Sequence, residues 1–114
     1  MKAFIMAKIL IIDDERAIRN TLREILEYED FKVDDIDNGA DGLEMIKNIG
    51  YDLVLCDIKM NRMDGMEVLT SAQNSHPDLP FIMISGHGTV ETAVEASKKG
   101  AFDFISKQIG RAHV

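Results

Sequence analysis

One cysteine, a deficit of basic residues and the lack of any long apolar run exclude three classes of protein at the outset. Cys56 has no second thiol to pair with, so no internal disulfide can form and a reducing compartment suits the chain. Set in an apolar run beside an acid, it reads as a small buried apolar residue. Lys and Arg number 13 against 20 Asp and Glu, a net charge of -7. Affinity for a phosphate backbone comes from cations that release counterions, so the chain is not expected to bind nucleic acid directly. No apolar stretch approaches the ~20 residues that cross a bilayer. The segment Ala3 to Ala7 is too short for the core of a signal peptide, and the expected location is cytoplasmic, away from membranes. Repeats, linkers and low-complexity stretches are also lacking. The 114 residues, 46% of them hydrophobic, suffice for one domain with one core.

What is present is an alternation of strand and helix signals, the pattern of an α/β domain built on a parallel sheet. Strands are predicted over Lys8 to Ile12, Phe31 to Ile36, Leu53 to Cys56, Phe81 to Ile84 and Ala101 to Ile105. The first helix is predicted over Glu15 to Glu29, with Asp14 as its N-cap and Ile18, Leu22, Ile25 and Leu26 on one face. A second covers Gly39 to Ile49, with Leu43, Ile46 and Ile49 inward and Gly50 as its C-cap. The third opens at Met63-Asp64-Gly65 and buries Met66, Val68 and Leu69. The fourth is capped by Thr89, shows a small face of Val90, Ala93, Val94 and Ser97, and stops at Lys98-Lys99-Gly100. Five strands with four intervening helices make a doubly wound sheet, whose ligands sit at the carboxyl ends of strands where the winding reverses.

Two of the apolar runs end in acid, Ile9 to Ile12 in Asp13 and Asp14, and Leu53 to Cys56 in Asp57. Side by side in a parallel sheet, they bring three carboxylates to one edge. Such carboxylates raise one another's pKa unless a cation neutralises them. Hard oxygen donors without cysteine or histidine suit Mg²⁺, which favours phosphate as a further ligand, so the substrate is expected to be a phosphoryl group. Asp57 is placed to attack phosphorus and form an acyl phosphate, with Lys107 balancing charge on the transferring oxygens. Ser85 is placed to donate its hydroxyl to a phosphoryl oxygen and draw the Gly86-His87-Gly88 loop inward, and Phe104 to follow by turning its ring.

Taken singly, these residues have plainer readings. Asp14 can be a helix cap, Ser85 a turn residue, Lys107 a solvated strand end and Phe104 ordinary core. His87 reads as exposed or partner-facing. The acidic run Asp34-Asp35-Ile36-Asp37 is not a calcium loop, because Ala40 and Ile46 stand where such a loop needs glycine and glutamate. An aspartyl-phosphate hydrolase needs a second carboxylate two residues beyond the nucleophile, where Lys59 stands.

Taken together, KILIIDDE, LVLCDIKM, MDG, FIMISGHG and AFDFISK resemble the receiver domain of two-component response regulators, especially those of NtrC-type transcriptional activators. The resemblance spans residues 7–107, leaving 1–6 as an N-terminal extension and 108–114 as an atypical or truncated tail. It implies a CheY-like, flavodoxin-type strand order 2-1-3-4-5 and a phosphorylation-dependent switch, not a turnover enzyme. By resemblance, Asp57 accepts phosphate from a sensor histidine kinase. Asp14 and Asp57 ligate Mg²⁺, Asp13 acts largely through water, and the main-chain carbonyl of Lys59 completes the site. Ser85, Phe104 and Lys107 match the switch hydroxyl, switch aromatic and phosphate-contacting lysine, which relay the change to an output domain outside this chain that regulates transcription.

The sequence departs from the family pattern at two positions. Asn61 replaces a usual proline. Gln108 follows Lys107 where receivers carry a cis-linked proline, and a cis bond costs ~2.5–4 kcal/mol before other residues against ~0.5–1 kcal/mol before proline. A trans Lys107-Gln108 bond is therefore expected. The tail lacks the length and apolar spacing of a fifth helix, which would leave apolar sheet surface beside the first helix uncovered and favour a homodimer or a rearranged terminus.

Overall fold

Aliphatic runs become strands and amphipathic stretches become helices in the order the sequence sets out. The structure, a computed structural model, describes residues 6–86 and 88–107. Along them run β1 (Lys8–Ile12), α1 (Arg16–Tyr28), β2 (Lys32–Ile36), α2 (Gly39–Asn48), β3 (Leu53–Asp57), α3 (Gly65–Ser75), β4 (Phe81–Ser85), α4 (Val90–Lys98) and β5 (Asp103–Ser106). The strands form one parallel sheet in the order β2-β1-β3-β4-β5, as expected. Among the described residues no helix follows β5.

Because strand side chains alternate, each strand feeds two faces. Leu10, Ile12, Val54, Cys56, Phe81 and Met83 join Ile46 of α2, Val68 and Leu69 of α3 and Ala96 of α4 in the larger core. Ile9, Ile11, Val33, Leu55 and Ile84 form the smaller core, against Leu22 and Leu26 of α1. Ile105, paired with Ile84 and so on that same face, remains 40% exposed.

The register aligns the strand ends. Ile12 lies beside Cys56, Asp57 beside Ile84, and Ser85 beside Ser106. Asp13, Asp57, Ser85 and Lys107 therefore fall at one edge, and the crevice lies between β1 and β3, where the winding reverses.

Several local expectations are corrected. Asp14 is not the N-cap of α1; Glu15 holds that position with no side-chain cap bond, and its own N–H donates to Asp13 Oδ1 at 2.8 Å. Ile25 is 55% exposed, lying off the i, i+4 line of Leu22 and Leu26 that packs against the smaller core. Val90 and Val94 of α4 are also exposed, since the helix rests on the sheet through Ala96 instead. Gly50 does not cap α2 in a left-handed turn: the cap residue, Ile49, is extended, and the left-handed glycine is Gly100, φ 103°, just beyond α4. Thr89 does cap α4, accepting the Thr92 N–H. The Lys107-Gln108 bond and His87 lie outside the described residues.

These packing differences predict a contrast. Phe81→Ala, in the fully buried centre of the larger core, should lower the free energy of urea unfolding by about 3–5 kcal/mol. Ile25→Ala should change it by less than about 0.5 kcal/mol. Equal losses would refute the placement of α1.

Candidate phosphoacceptor and cation site

Asp13 leaves β1 fully buried, its N–H donating to Ile36 O at 3.1 Å across to β2. Asp57 ends β3 and is 2% exposed. With the half-buried Asp14, they place one carboxylate oxygen each within 4.8 Å of one another. The Lys107 ammonium reaches this group from the end of β5, at 3.1 Å from Asp13 Oδ2 and 3.3 Å from Asp57 Oδ2. Its main-chain N–H donates to Ser85 O at 2.8 Å, fixing the exit of β5 against that of β4.

Sequence reasoning missed Glu15, whose Oε1 meets Lys107 Nζ at 2.6 Å. The signal was the third acid of Asp13-Asp14-Glu15, read only as a helix start. Gly65 was placed but not explained. A Cβ there would lie 2.1 Å from Asp57 O, so the chain after β3 folds back onto the main chain of Asp57 at a distance only glycine tolerates. The Gly65 N–H donates to Ile58 O, and a reciprocal Asp64–Glu67 capping box starts α3 from that point.

Burial is the main cause that pushes the Asp57 carboxyl up to about 6, reinforced by the charge of Asp13 and opposed by Lys107. Burial also raises Asp13, against the Glu15 N–H and Lys107. For Lys107 burial works the other way, but bonds to Glu15 and Asp13 and the charge of Asp57 outweigh it and raise the ammonium's pKa. One cation thus serves three acids of which two are buried.

Asp13 Oδ2 is buried and faces the Lys107 ammonium at 3.1 Å, a cation it shares with Asp57 and Glu15, so its acceptor capacity is not filled. A buried, under-satisfied carboxylate oxygen among oxygen-only donors fits a hard divalent cation such as Mg²⁺, with water completing its shell. Beside Asp14 opens a cavity of about 410 Å³, lined in part by Asn38, Asp41, Asn61 and Arg62.

Ser85 is 3% exposed at the end of β4, one residue beyond the partner of Asp57. Phe104 is half-buried against the larger core. Its ring lies so near Gly88 that a Cβ there would be 3.0 Å away, so the ring and the loop after Ser85 are in direct apposition. Lys59 is exposed, two residues past Asp57.

Compared with known families, residues 9–114 match the response regulator receiver domain. The chain is 37% identical over 101 residues to transcriptional regulatory protein ZraR of Klebsiella oxytoca, covering 89% of this chain and 23% of that protein. It is 42% identical over 101 residues to nitrogen assimilation regulatory protein NtrX of Azorhizobium caulinodans, covering 87% and 22%. It thus spans less than a quarter of the length of these curated relatives. Among solved structures, a CheY-like response regulator receiver domain from Methanospirillum hungatei superposes with a TM-score of 0.87 at 34% identity, covering 92% of this chain and 84% of that one.

The raised carboxyl sets a pH dependence. Between the ordinary value of 3.8 and about 6, the folded state binds more protons than the unfolded one, so stability from this group is greatest at low pH and is lost as pH rises through about 6. In metal-free buffer at pH 7, Asp57→Asn should therefore be more stable than the parent, by about 1 kcal/mol after solvent screening. That gain should shrink towards pH 4, as followed by thermal unfolding. A less stable variant at pH 7 would contradict the repulsion.

Proposed function

The chain belongs to the response regulator receiver domain family, and from that premise we propose that it is a switch phosphorylated on Asp57. The observation that carries the reading is a buried strand-end carboxylate held 3.3 Å from an ammonium and crowded by two further acids. At neutral pH a carboxyl of pKa about 6 is mostly ionised, so Asp57 is available as a nucleophile. Its oxygen forms a bond to phosphorus as the bond to the donor breaks, and the leaving group keeps the electron pair and takes up a proton. For a sensor histidine kinase the leaving group is an imidazole nitrogen.

Asp13, Asp14, Asp57 and the main-chain carbonyl of Lys59 would hold Mg²⁺, Asp13 largely through water. When bound, the ion shields the charge of the transferring oxygens. The chain's own contribution is positional. Lys107 stands ready to pair with a phosphoryl oxygen, and the new charge gives its ammonium a stronger partner than either buried acid. The Ser85 hydroxyl, at the adjacent strand end, donates to another oxygen. Movement of the loop after it is felt by Phe104, whose ring rests against Gly88. In a longer protein with an output domain, that shift is the signal, and the NtrC-type relatives point to transcription as the regulated process. The module is read as a cytoplasmic signalling domain. The partly exposed Ile105 on the α1 face of the sheet supports self-association through apolar sheet surface.

Incubation with Mg²⁺ and acetyl phosphate should give one equivalent of an acid-stable, hydroxylamine-labile adduct that is absent in Asp57→Asn. Lys107→Ala should still be labelled but should lose the accompanying change in the amide spectrum around Phe104. Steady phosphate release from assorted esters would point to a hydrolase instead, and no adduct at all to an interaction module that is never phosphorylated.

A further inference from the structure

We propose that Arg19 is a positioning residue for the acidic site, with Asp35 as its anchor, and that together they orient the peptide between Asp13 and Asp14. The inference deepens the reading of Asp13 and Asp14 as cation ligands and rests on it. The Arg19 side chain is only 13% exposed. Its Nη1 donates to Asp13 O at 2.9 Å, while its Nε donates to Asp35 Oδ1 at 3.0 Å. Asp35 is in turn held by Arg23, whose Nε donates to its other oxygen at 2.8 Å.

Both main-chain polar groups of Asp13 therefore end on β2. Its N–H reaches Ile36 O directly, and its carbonyl reaches neighbouring Asp35 through the guanidinium. The oxygen that Arg19 grips belongs to the peptide unit whose N–H is that of Asp14, so one hydrogen bond sets the plane from which both acids leave the chain. A guanidinium suits this task because its N–H groups point in fixed directions towards acceptors on two different elements, which a single ammonium cannot do.

The same contacts account for the acidic run Asp34-Asp35-Ile36-Asp37, which binds neighbours rather than an ion. Asp34 accepts the Tyr51 hydroxyl at 2.6 Å, Asp35 takes both arginines, and Asp37 accepts Asn38 Nδ2 at 2.8 Å.

Positioning and plain electrostatics predict opposite signs. Removing a cation near an acidic site should by Coulomb's law strengthen the binding of a divalent cation. Loosening the peptide that carries two ligands should weaken it, and loss of such outer partners typically costs 10–100-fold in metal affinity.

The test is a titration of the whole chain with Mg²⁺ alone, read by amide chemical shifts. Arg19→Ala should bind Mg²⁺ about tenfold more weakly. Arg19→Lys should restore little of the loss. Asp35→Asn should weaken binding in the same direction, and adding it to Arg19→Ala should cost nothing further. Arg23→Ala removes an ion pair from the same cluster without touching Asp13 and should stay within about twofold of the parent. At saturating Mg²⁺, acetyl phosphate labelling of Arg19→Ala should return to the parental rate.

Unchanged or tighter Mg²⁺ binding in Arg19→Ala, or an equal loss in Arg23→Ala, overturns the proposal. Should Arg19→Ala not fold, Asp35→Asn decides the matter by the same criterion. A parent chain that binds Mg²⁺ but forms no labile adduct sinks the phosphoacceptor reading and leaves this inference standing. A parent chain that binds no Mg²⁺ sinks this inference.

Discussion

The rest of the structure is organised around a repulsion. Asp13 and Asp57 are both buried, face the same small space and share one ammonium, an arrangement that disfavours the charged state of each. No isolated loop could hold them so. They stay together because each is the continuation of a central strand, and β1 and β3 are locked side by side by the main-chain ladder and by side chains buried on both faces. The apolar runs Ile9 to Ile12 and Val54 to Cys56 contribute the burial that offsets the electrostatic cost at their ends.

The closing of the site depends on smaller devices of the same kind. The close approach at Gly65 folds the chain back over Asp57, and the capping box at Asp64 starts α3 there. The bond from Lys107 N–H to Ser85 O ties the two remaining strand ends. On the far side, the Ile36 carbonyl and the Arg19–Asp35 pair fasten Asp13 to β2. Asp13 and Asp57 are thus fixed through their main chains, which leaves Asp13 Oδ2 and Asp57 Oδ2 facing the ammonium.

How much of this was legible in the sequence depended on the range of the interaction. Strands end in acid because burial and charge are both written locally, so the sheet and the meeting of Asp13, Asp14 and Asp57 could be read from apolar runs and their last residues. Ile25 and Val94 show where local pattern misleads, because an apolar residue on a helix says nothing of whether a partner lies opposite it. The Asp14 cap failed because the helix begins one residue later, with Glu15 at the cap position. Glu15, Arg19 and Asp35 were not legible at all as site residues. Their partners lie 92, 6 and 16 residues away along the chain, and only the assembled sheet brings them together.

The parts of the site also differ in how firmly they are held, which bears on how a switch would work. Asp57 lies in a strand flanked on both sides, and Asp13 directly follows another. Lys107 follows β5, one of the two edge strands, whose residues are all exposed or half-buried and whose only ladder partner among the described residues is β4. Local opening is easiest where burial and pairing are fewest. A phosphoryl group added at Asp57 would thus act on a cation attached to the least constrained strand, while the acids keep their places. The ring of Phe104 lies on that same strand, against the loop that follows Ser85. On the proposed phosphorylation of Asp57, rigid acids at the centre and a yielding cation at the edge would turn a change of charge into a displacement of β5 and its neighbouring loop, rather than a general loosening of the domain.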